Sequence, residues 1–353
     1  MPSTMKAMRV HELGGSFQLD EVPVPSPGPN DALVKLKATG VGLTPVLMRR
    51  TPGLIDKFPR IMGHEIAAEV VEIGSEVENV AVGDLVTCHF YLVCRSCDFC
   101  RSGRETLCEN FKGYVGLVLD GGFAEYAAIP ALNLCIIPEG ITPLAACIAA
   151  DGICTPYHNC TAEAKIKPGD RVAIIGAGGG VAIHAVQMAQ LCGGHVIGVD
   201  ISRQKLKTVA ELGALATVDA SDTDPVEEIM ALTKGVGVDA YIDYVASKET
   251  LEMGMACLGR GGKLIIVGSR APAAFGGVSP KFSVDPQKML SWAQEIHGSR
   301  YCSMDELRRS LDLVKMGKIK PIVTETFRLE DTEKAFEMIQ DNKITGRAAL
   351  LFD

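Results

Sequence analysis

The sequence predicts a two-domain α/β protein, an irregular barrel-like β domain joined to a doubly wound parallel sheet. Three observations predict it. The 353 residues exceed what one hydrophobic core usually serves. Residues 1–152 carry short β-prone runs broken by turn clusters, and residues 153–298 alternate strand-like with helix-like segments.

In the first part the β-prone runs are 5–11, 32–39, 67–73 and 85–90, and Pro23, Pro25, Pro27, Gly28 and Pro29 make one of the turn clusters between them. Short runs with such punctuation read as an irregular β domain. In the second part the apolar runs 171–175, 195–199, 240–244 and 263–267 are separated by helical stretches that include 181–191 and 202–212. Alternation of this kind predicts a parallel sheet with helices on both faces. The remainder, 299–353, offers amphipathic helices at 304–316 and 330–340 and a final strand at 348–352.

Composition narrows the function classes. Hydrophobic residues make up 47% and charged residues 22%, which suits a folded chain without extensive disorder. A net charge of -8 argues against nucleic acid or an anionic membrane as partner. The first residues hold no apolar run of signal-peptide length. The most apolar stretch, 141–156, is too short to span a bilayer and contains Asp151. The expected location is therefore the cytoplasm. Twelve cysteines then read as metal ligands or buried thiols rather than disulfides.

Two motifs carry chemistry. Run 171–175 leads into Gly176, Ala177, Gly178, Gly179, Gly180 and Val181 before a helix. Glycines there let the backbone approach a pyrophosphate, and a helix N-terminus offers it free N–H groups and a positive dipole end. The next strand ends in Asp200, about twenty residues on, where an acid accepts hydrogen bonds from ribose hydroxyls and repels a 2′-phosphate. This predicts a Rossmann domain binding NAD(H) rather than NADP(H). Lys205 is either a second ribose contact or a solvated helix lysine. The other motif is Cys94, Cys97, Cys100 and Cys108, four thiols within fifteen residues. Four thiolates make a closed, structural zinc site.

With these features in place the chain resembles the zinc-containing medium-chain dehydrogenase/reductase family, over essentially its whole length. The resemblance rests on Gly63-His64-Glu65 with Val70 and Gly74, on Val82-Gly83-Asp84, on the run from Asp120 to Tyr126, on the four-cysteine lobe at 91–112 and on the dinucleotide motif. It implies a GroES-like catalytic domain from 1–152 and 299–353 and a Rossmann domain from 153–298. It also implies that Val245, Gly268 and Arg347 join the glycines, Val181, Asp200 and Lys205 at the cofactor.

In that family a catalytic zinc is held by a cysteine, by the histidine of Gly-His-Glu, and by a cysteine or aspartate at the entry to the cofactor domain. His64 and Asp151 match the last two, and the four-residue step from Asp151 to Thr155 agrees with the family pattern. Glu65 reaches the metal in some members. The chain departs at the first ligand. Gly42 stands at the cysteine position, Pro45 where an aspartate usually orients the histidine, and Leu47 where some members carry a proton-relay histidine. Thr44, the hydroxyl that would exchange a proton with the substrate oxygen, is retained. Two arrangements stay open: a weaker zinc on His64, Glu65 and Asp151, or a site that works without a metal, with His64 and Glu65 persisting as a polar pair. A second zinc restored by Gly42→Cys would show that the rest of the cage is in place.

The sequence thus predicts hydride transfer between NAD(H) and a small organic substrate in an interdomain cleft. An alcohol/carbonyl pair comes first, a conjugated C=C bond second, and an NAD(H)-binding sensor without turnover third. The walls near Leu43, Met48, Leu92 and Tyr114 are apolar and specify no substrate. His11, His89, His184, His195 and His297 lack ligand spacing, and His158 lies close enough to the site in sequence to donate a proton. Cys88, Cys135, Cys147, Cys154, Cys160, Cys192, Cys257 and Cys302 read as buried small hydrophobes. The resemblance, with a candidate edge strand at 295–298, predicts a homodimer or homotetramer. Light scattering that found only monomer at micromolar concentration would contradict this.

Overall fold

The computed structural model describes residues 2–268 and 280–353. It divides into one unit of Met1–Asp151, Cys302–Gly317 and Val323–Asp353 and another of Gly152–Tyr301 and Lys318–Ile322. The short return of the chain at Lys318–Ile322 is not visible in the sequence pattern. It is held by side chains of helix Ala182–Leu191. Gln187 donates to the Lys320 carbonyl at 2.9 Å, and His184 Nε2 accepts from the Ile322 N–H at 2.9 Å. Among the described residues no helix is long and apolar enough to cross a membrane.

The first unit is built on a seven-stranded sheet. Its order is Leu134–Ile136, Leu85–Cys88, Glu65–Ile73, Asp31–Val41, Arg347–Leu351 and Val323–Phe327, with Tyr126–Pro130 also paired to Asp31–Val41. Strands Phe17–Pro23, Thr4–Val10 and Arg60–Ile61 form a second sheet. Rings of Phe17, Phe123 and Phe336 meet in the core, with centroids 4.9–5.7 Å apart. Strand Asp31–Val41 is almost wholly buried because it is covered by neighbours along its length, which explains its continuous apolar run. Its register decides the chemistry below. Gly40 lies opposite Glu65 and Val41 opposite Ala348, so Gly42 and Arg347 meet where the two strands end.

The second unit is a six-stranded sheet in the order Ala216–Asp219, His195–Asp200, Arg171–Ile175, Val238–Asp243, Leu258–Ile266 and Glu295–Gly298, every pair parallel. The strand order reverses direction between Arg171–Ile175 and Val238–Asp243, the crevice at which doubly wound sheets bind ligands. Glu295–Gly298 is the edge strand, as the sequence predicts. Ala216–Asp219 is not among the expected strands. Only Val218 in it is fully buried, so it carries no apolar run. Helix Arg203–Glu211 starts where the Ser202 side chain accepts from the Lys205 N–H, and Asp224 caps Pro225–Leu232 in the same way.

Candidate active site

The glycine-rich turn follows strand Arg171–Ile175. Gly176 has φ +71°, a conformation glycine adopts without a Cβ penalty. A Cβ on Gly178 would overlap the Lys205 side chain. Helix Ala182–Leu191 has no side-chain cap, so its first turn can receive an anion. Asp200 ends the neighbouring strand at 8% exposure. Its Oδ2 accepts from the Gly178 N–H at 2.9 Å and its Oδ1 from Ser202 N–H at 3.0 Å. Lys205 is 6% exposed and not solvated, and burial lowers its pKa against the opposing pull of Asp200.

Val245 and Gly268 come from the next two strand ends. Asp243 Oδ1 accepts from the N–H groups of Val245 and Ala246 at 2.8 and 2.9 Å. Gly268 packs so closely on the backbone of Tyr244 and Val245 that a Cβ there would sit 2.7 Å from it. Three successive strand ends therefore converge on one crevice. His184, taken as an ordinary side chain in the sequence, has a structural job here. Because its Nε2 accepts from Ile322, its Nδ1 carries the proton and donates to the Gly180 carbonyl at 3.0 Å. An i to i+4 step from a loop glycine to a buried histidine was the available signal.

The four-cysteine lobe is assembled from very short elements. Cys94 follows strand Tyr91–Leu92, Cys97 and Cys100 flank the start of helix Asp98–Arg101, and Cys108 follows the turn Glu105–Leu107. Arg95 turns the chain with φ +56°. The Cys97 N–H then meets Cys94 Sγ at 3.3 Å. The four sulfurs lie within 4.8 Å of one another, and two of the pairs are 4.0 Å apart. A tetrahedron of about 2.3 Å zinc–sulfur bonds has edges near 3.8 Å. Hydrogen bonds from Ser96 pull the Cys94 thiol down to about 5, while burial pushes Cys100 up to about 12. Only a cation would let all four ionise together, and this donor set fits a structural zinc. Of the other cysteines, Cys192 is partly exposed and the remaining seven are buried.

The third cluster lies in the first unit. His64 precedes strand Glu65–Ile73, and Asp151 lies in the π-helical turn Ala149–Ile153. His64 Nε2 is 3.9 Å from Glu65 Oε1 and 3.7 Å from Asp151 Oδ2. These distances are too long for hydrogen bonds, so His64 and Glu65 are not the satisfied pair the sequence allows. The same two oxygens are bridged by one nitrogen. Arg347 Nη2 lies 2.8 Å from Glu65 Oε1 and 2.9 Å from Asp151 Oδ2. Burial and Asp151 push the Glu65 carboxyl up to about 7, with Arg347 pulling the other way. Arg347 is 3% exposed. Through Nη2 its guanidinium thus meets two carboxylates at the head of the last strand, while its Nε has no hydrogen-bond partner among the described residues. The buried charge needs partners, and the sheet register supplies them here.

Beside this cluster a small pocket is lined by His64 with Pro45, Met48, Met62, Phe90 and Tyr114. The His64 ring lies against Phe90 with centroids 4.4 Å apart. His64 Nε2 is buried and has no hydrogen-bond partner among the described residues. Thr44 is half-buried on helix Leu43–Met48, Thr155 is buried on helix Cys154–His158, and His158 Nε2 is 3.1 Å from Glu163. Of the expected wall residues, Met48 and Tyr114 line the pocket, whereas Leu43 is exposed.

Comparison with known proteins agrees with this layout. The alcohol dehydrogenase GroES-like domain matches residues 28–139 and the zinc-binding dehydrogenase family residues 180–316. An NAD-dependent alcohol dehydrogenase of Sulfurisphaera tokodaii is 32% identical over 357 residues, 98% of this chain and 100% of the relative. The chain belongs to the zinc-type medium-chain dehydrogenase/reductase family. It is an NAD-dependent oxidoreductase. The crystal structure of the alcohol dehydrogenase from Aeropyrum pernix superposes with a TM-score of 0.89 at 31% identity, over 98% of this chain and 100% of that one. Acryloyl-coenzyme A reductase of Sulfurisphaera tokodaii is 27% identical over 343 residues, 97% of this chain and 98% of the relative.

Two clusters among the described residues offer metal donor sets. The tetrathiolate cluster suits zinc. The trio His64, Glu65 and Asp151 has suitable donor atoms within 4.8 Å of one another; Arg347 Nη2 lies on Glu65 Oε1 and Asp151 Oδ2, while Glu65 Oε2 has no hydrogen-bond partner among the described residues. Gly42 supplies no thiolate.

Asp200→Ser is expected to relax the preference for NADH over NADPH. Removing one like charge near a phosphate is worth about 1–4 kcal/mol, so the ratio of kcat/KM values should move by about tenfold or more. Steady-state kinetics with both cofactors check this, and an unchanged ratio would refute it.

Proposed function

We propose that this dehydrogenase reduces a conjugated C=C bond of a small, largely apolar enone, enal or enoyl thioester, without a catalytic metal. The observation that carries the reading is the Arg347 guanidinium on Glu65 and Asp151. Bound at the glycine-rich turn, NADH would supply a hydride. A ketone that accepts it becomes an alkoxide, a strong base that a Lewis acid normally stabilises. A conjugated alkene becomes an enolate, a much weaker base, so hydrogen bonds alone can stabilise its oxygen. The His64 Nε2 and the Tyr114 hydroxyl line the pocket, and Thr44 stands next to its Pro45, so these groups are candidates for that task. The lining of Pro45, Met48, Met62 and Phe90 beside His64 suits a hydrocarbon or acyl portion. The acryloyl-coenzyme A reductase relative supports the same chemistry.

Carbonyl/alcohol interconversion is the second reading, favoured by the alcohol dehydrogenase relatives at 32% identity. NADH oxidation against a panel of enones, enoyl thioesters, aldehydes and ketones separates the two. Protein treated with a mild chelator and shown to keep one zinc per chain should hold its enone rate. Its ketone rates should be at least about tenfold lower, one transition-state hydrogen bond or more in energy. Loss of all activity on chelation, restored by zinc, would overturn the proposal.

A further inference from the structure

The four-cysteine lobe joins the rest of the first unit through a narrow neck, and the pocket beside His64 is built on that neck. Strand Tyr91–Leu92 pairs with Gly113–Tyr114, with Tyr91 opposite Tyr114. The Lys112 N–H donates to the Leu92 carbonyl at 2.9 Å, and the Val115 N–H to the Phe90 carbonyl at 3.0 Å. Phe90 and Tyr114, which both line the pocket, therefore stand where the chain enters and leaves the neck. Behind them lies a cluster of rings. Tyr114 stands edge-on to Tyr91 and steeply inclined to Phe111, with centroids 4.8 and 4.9 Å away, and Tyr91 and Phe111 are 5.4 Å apart. Phe90 meets Tyr91 at 5.2 Å and Tyr114 at 5.9 Å. Tyr91 is buried and Phe111 partly so, and neither lines the pocket.

We infer that Phe111 and Tyr91 set which substrates the pocket accepts by holding the Tyr114 ring in its wall, and that the four-cysteine lobe is thereby a specificity element as well as a structural one. This rests on the reading above that gives the pocket to the substrate, and not on the choice between alkene and carbonyl. Tyr91 and Phe111 are positioning residues, because they act through Tyr114. Edge-to-face ring pairs are directional, so the two rings fix the tilt of Tyr114 as well as its place. Tyr114 is itself only half-buried. The neck has two residues in each strand, and a hairpin that short is not stable by itself, so backbone pairing alone does not hold the ring. The lobe supplies the rest. Tyr91 lies three residues before Cys94 and Phe111 three after Cys108. The Cys94 N–H meets Cys108 Sγ at 3.3 Å. Closing the sulfurs on one cation therefore draws together the two legs on which the rings sit.

The test compares wild type, Phe111→Ala, Phe111→Tyr, Met48→Trp and Cys97→Ser, each with a small probe and a phenyl-bearing one. With NADH present, calorimetry gives dissociation constants for propanamide and phenylpropanamide, two unreactive stand-ins for a substrate. Kinetics give kcat/KM for methyl vinyl ketone against benzylideneacetone, and for butanone against benzylacetone. In Phe111→Ala the Tyr114 ring loses its backing and can swing outward. Preference for the phenyl probe should then rise by about fivefold or more, the worth of a lost ring pair, at unchanged zinc content. Phe111→Tyr keeps the ring and should keep the wild-type ratio. Cys97→Ser should shift the ratio in the same direction as Phe111→Ala. Met48→Trp narrows the pocket directly and should lower the preference. A role confined to stability would move the unfolding midpoint and leave the ratios alone. A folded Phe111→Ala with the wild-type ratio would thus overturn the inference while Met48→Trp still showed the pocket to be the substrate's. An unchanged ratio in Met48→Trp as well would overturn that reading of the pocket. An unchanged ratio in zinc-free Cys97→Ser would overturn the part given to the lobe. Should Phe111→Ala fail to fold, Phe111→Leu serves instead, with a shift of about twofold or more expected, and no shift would overturn the inference.

Discussion

Cys97→Ser should reduce the zinc content from about one per chain to nearly none. The helix it begins, Asp98–Arg101, has four residues and buries none of them. A helix that short has no stability of its own, so the metal holds the lobe in shape. The flanking turn Glu105–Leu107 and the two-residue strands Tyr91–Leu92 and Gly113–Tyr114 add little backbone pairing. The lobe at 91–112 should therefore become the first site of proteolysis, with the rate of cleavage rising by about tenfold or more. NADH binding belongs to the other unit and should change little. Elemental analysis and limited proteolysis check the two halves of this expectation. Unchanged zinc content would remove the assignment of Cys97 as a ligand.

Arg347→Met in metal-free buffer should destabilise the first unit by about 3–5 kcal/mol, the usual cost of removing one partner from a buried ion pair. Methionine fills much of the volume, so the loss reports charge rather than a cavity. The penalty should depend on pH. In the wild type, burial already raises the Glu65 carboxyl from 4.5 to about 7. A carboxyl raised in the folded state binds its proton more tightly there than in the unfolded chain. Its contribution to stability is then present at low pH and is lost as pH rises between those two values. Without Arg347 the folded pKa rises further and the losing window extends upward. The variant should therefore differ from wild type more at pH 8 than at pH 6. Denaturant unfolding at both values measures it. A deficit below about 1 kcal/mol at pH 8, the worth of an exposed pair, would mean that the arginine is not the partner on which the two carboxylates depend.

Much of the cofactor site was legible because its determinants are local. A strand, a glycine-rich turn and an acid about twenty residues on lie within one βαβ unit, and the physics linking them acts over short sequence distances. Asp200 thus ends the strand where the sequence places it, and Gly176 and Gly178 show the positive φ and the close approach that glycine permits. The four cysteines were legible for a similar reason, since their spacing alone brings the sulfurs together. His184 was missed because its two hydrogen bonds go to Gly180, one helical turn away, and to Ile322, far along the chain. Only the first of these has a local signature.

Sequence alone determined the fold class, the dinucleotide turn, the tetrathiolate cluster and the absence of a ligand at Gly42. It could not determine what stands in the ligand's place. Arg347 heads an apolar strand, and a charged residue before such a run usually faces water. Its fate follows from the antiparallel pairing of Arg347–Leu351 with Asp31–Val41, a register set by many long-range backbone contacts. That pairing lays the guanidinium in the space a side chain at 42 would fill and within reach of two buried carboxylates. Charge neutralisation in a dry interior then holds it there, because an unpaired Glu65 or Asp151 is costly. The tertiary structure therefore decided where the Arg347 guanidinium lies.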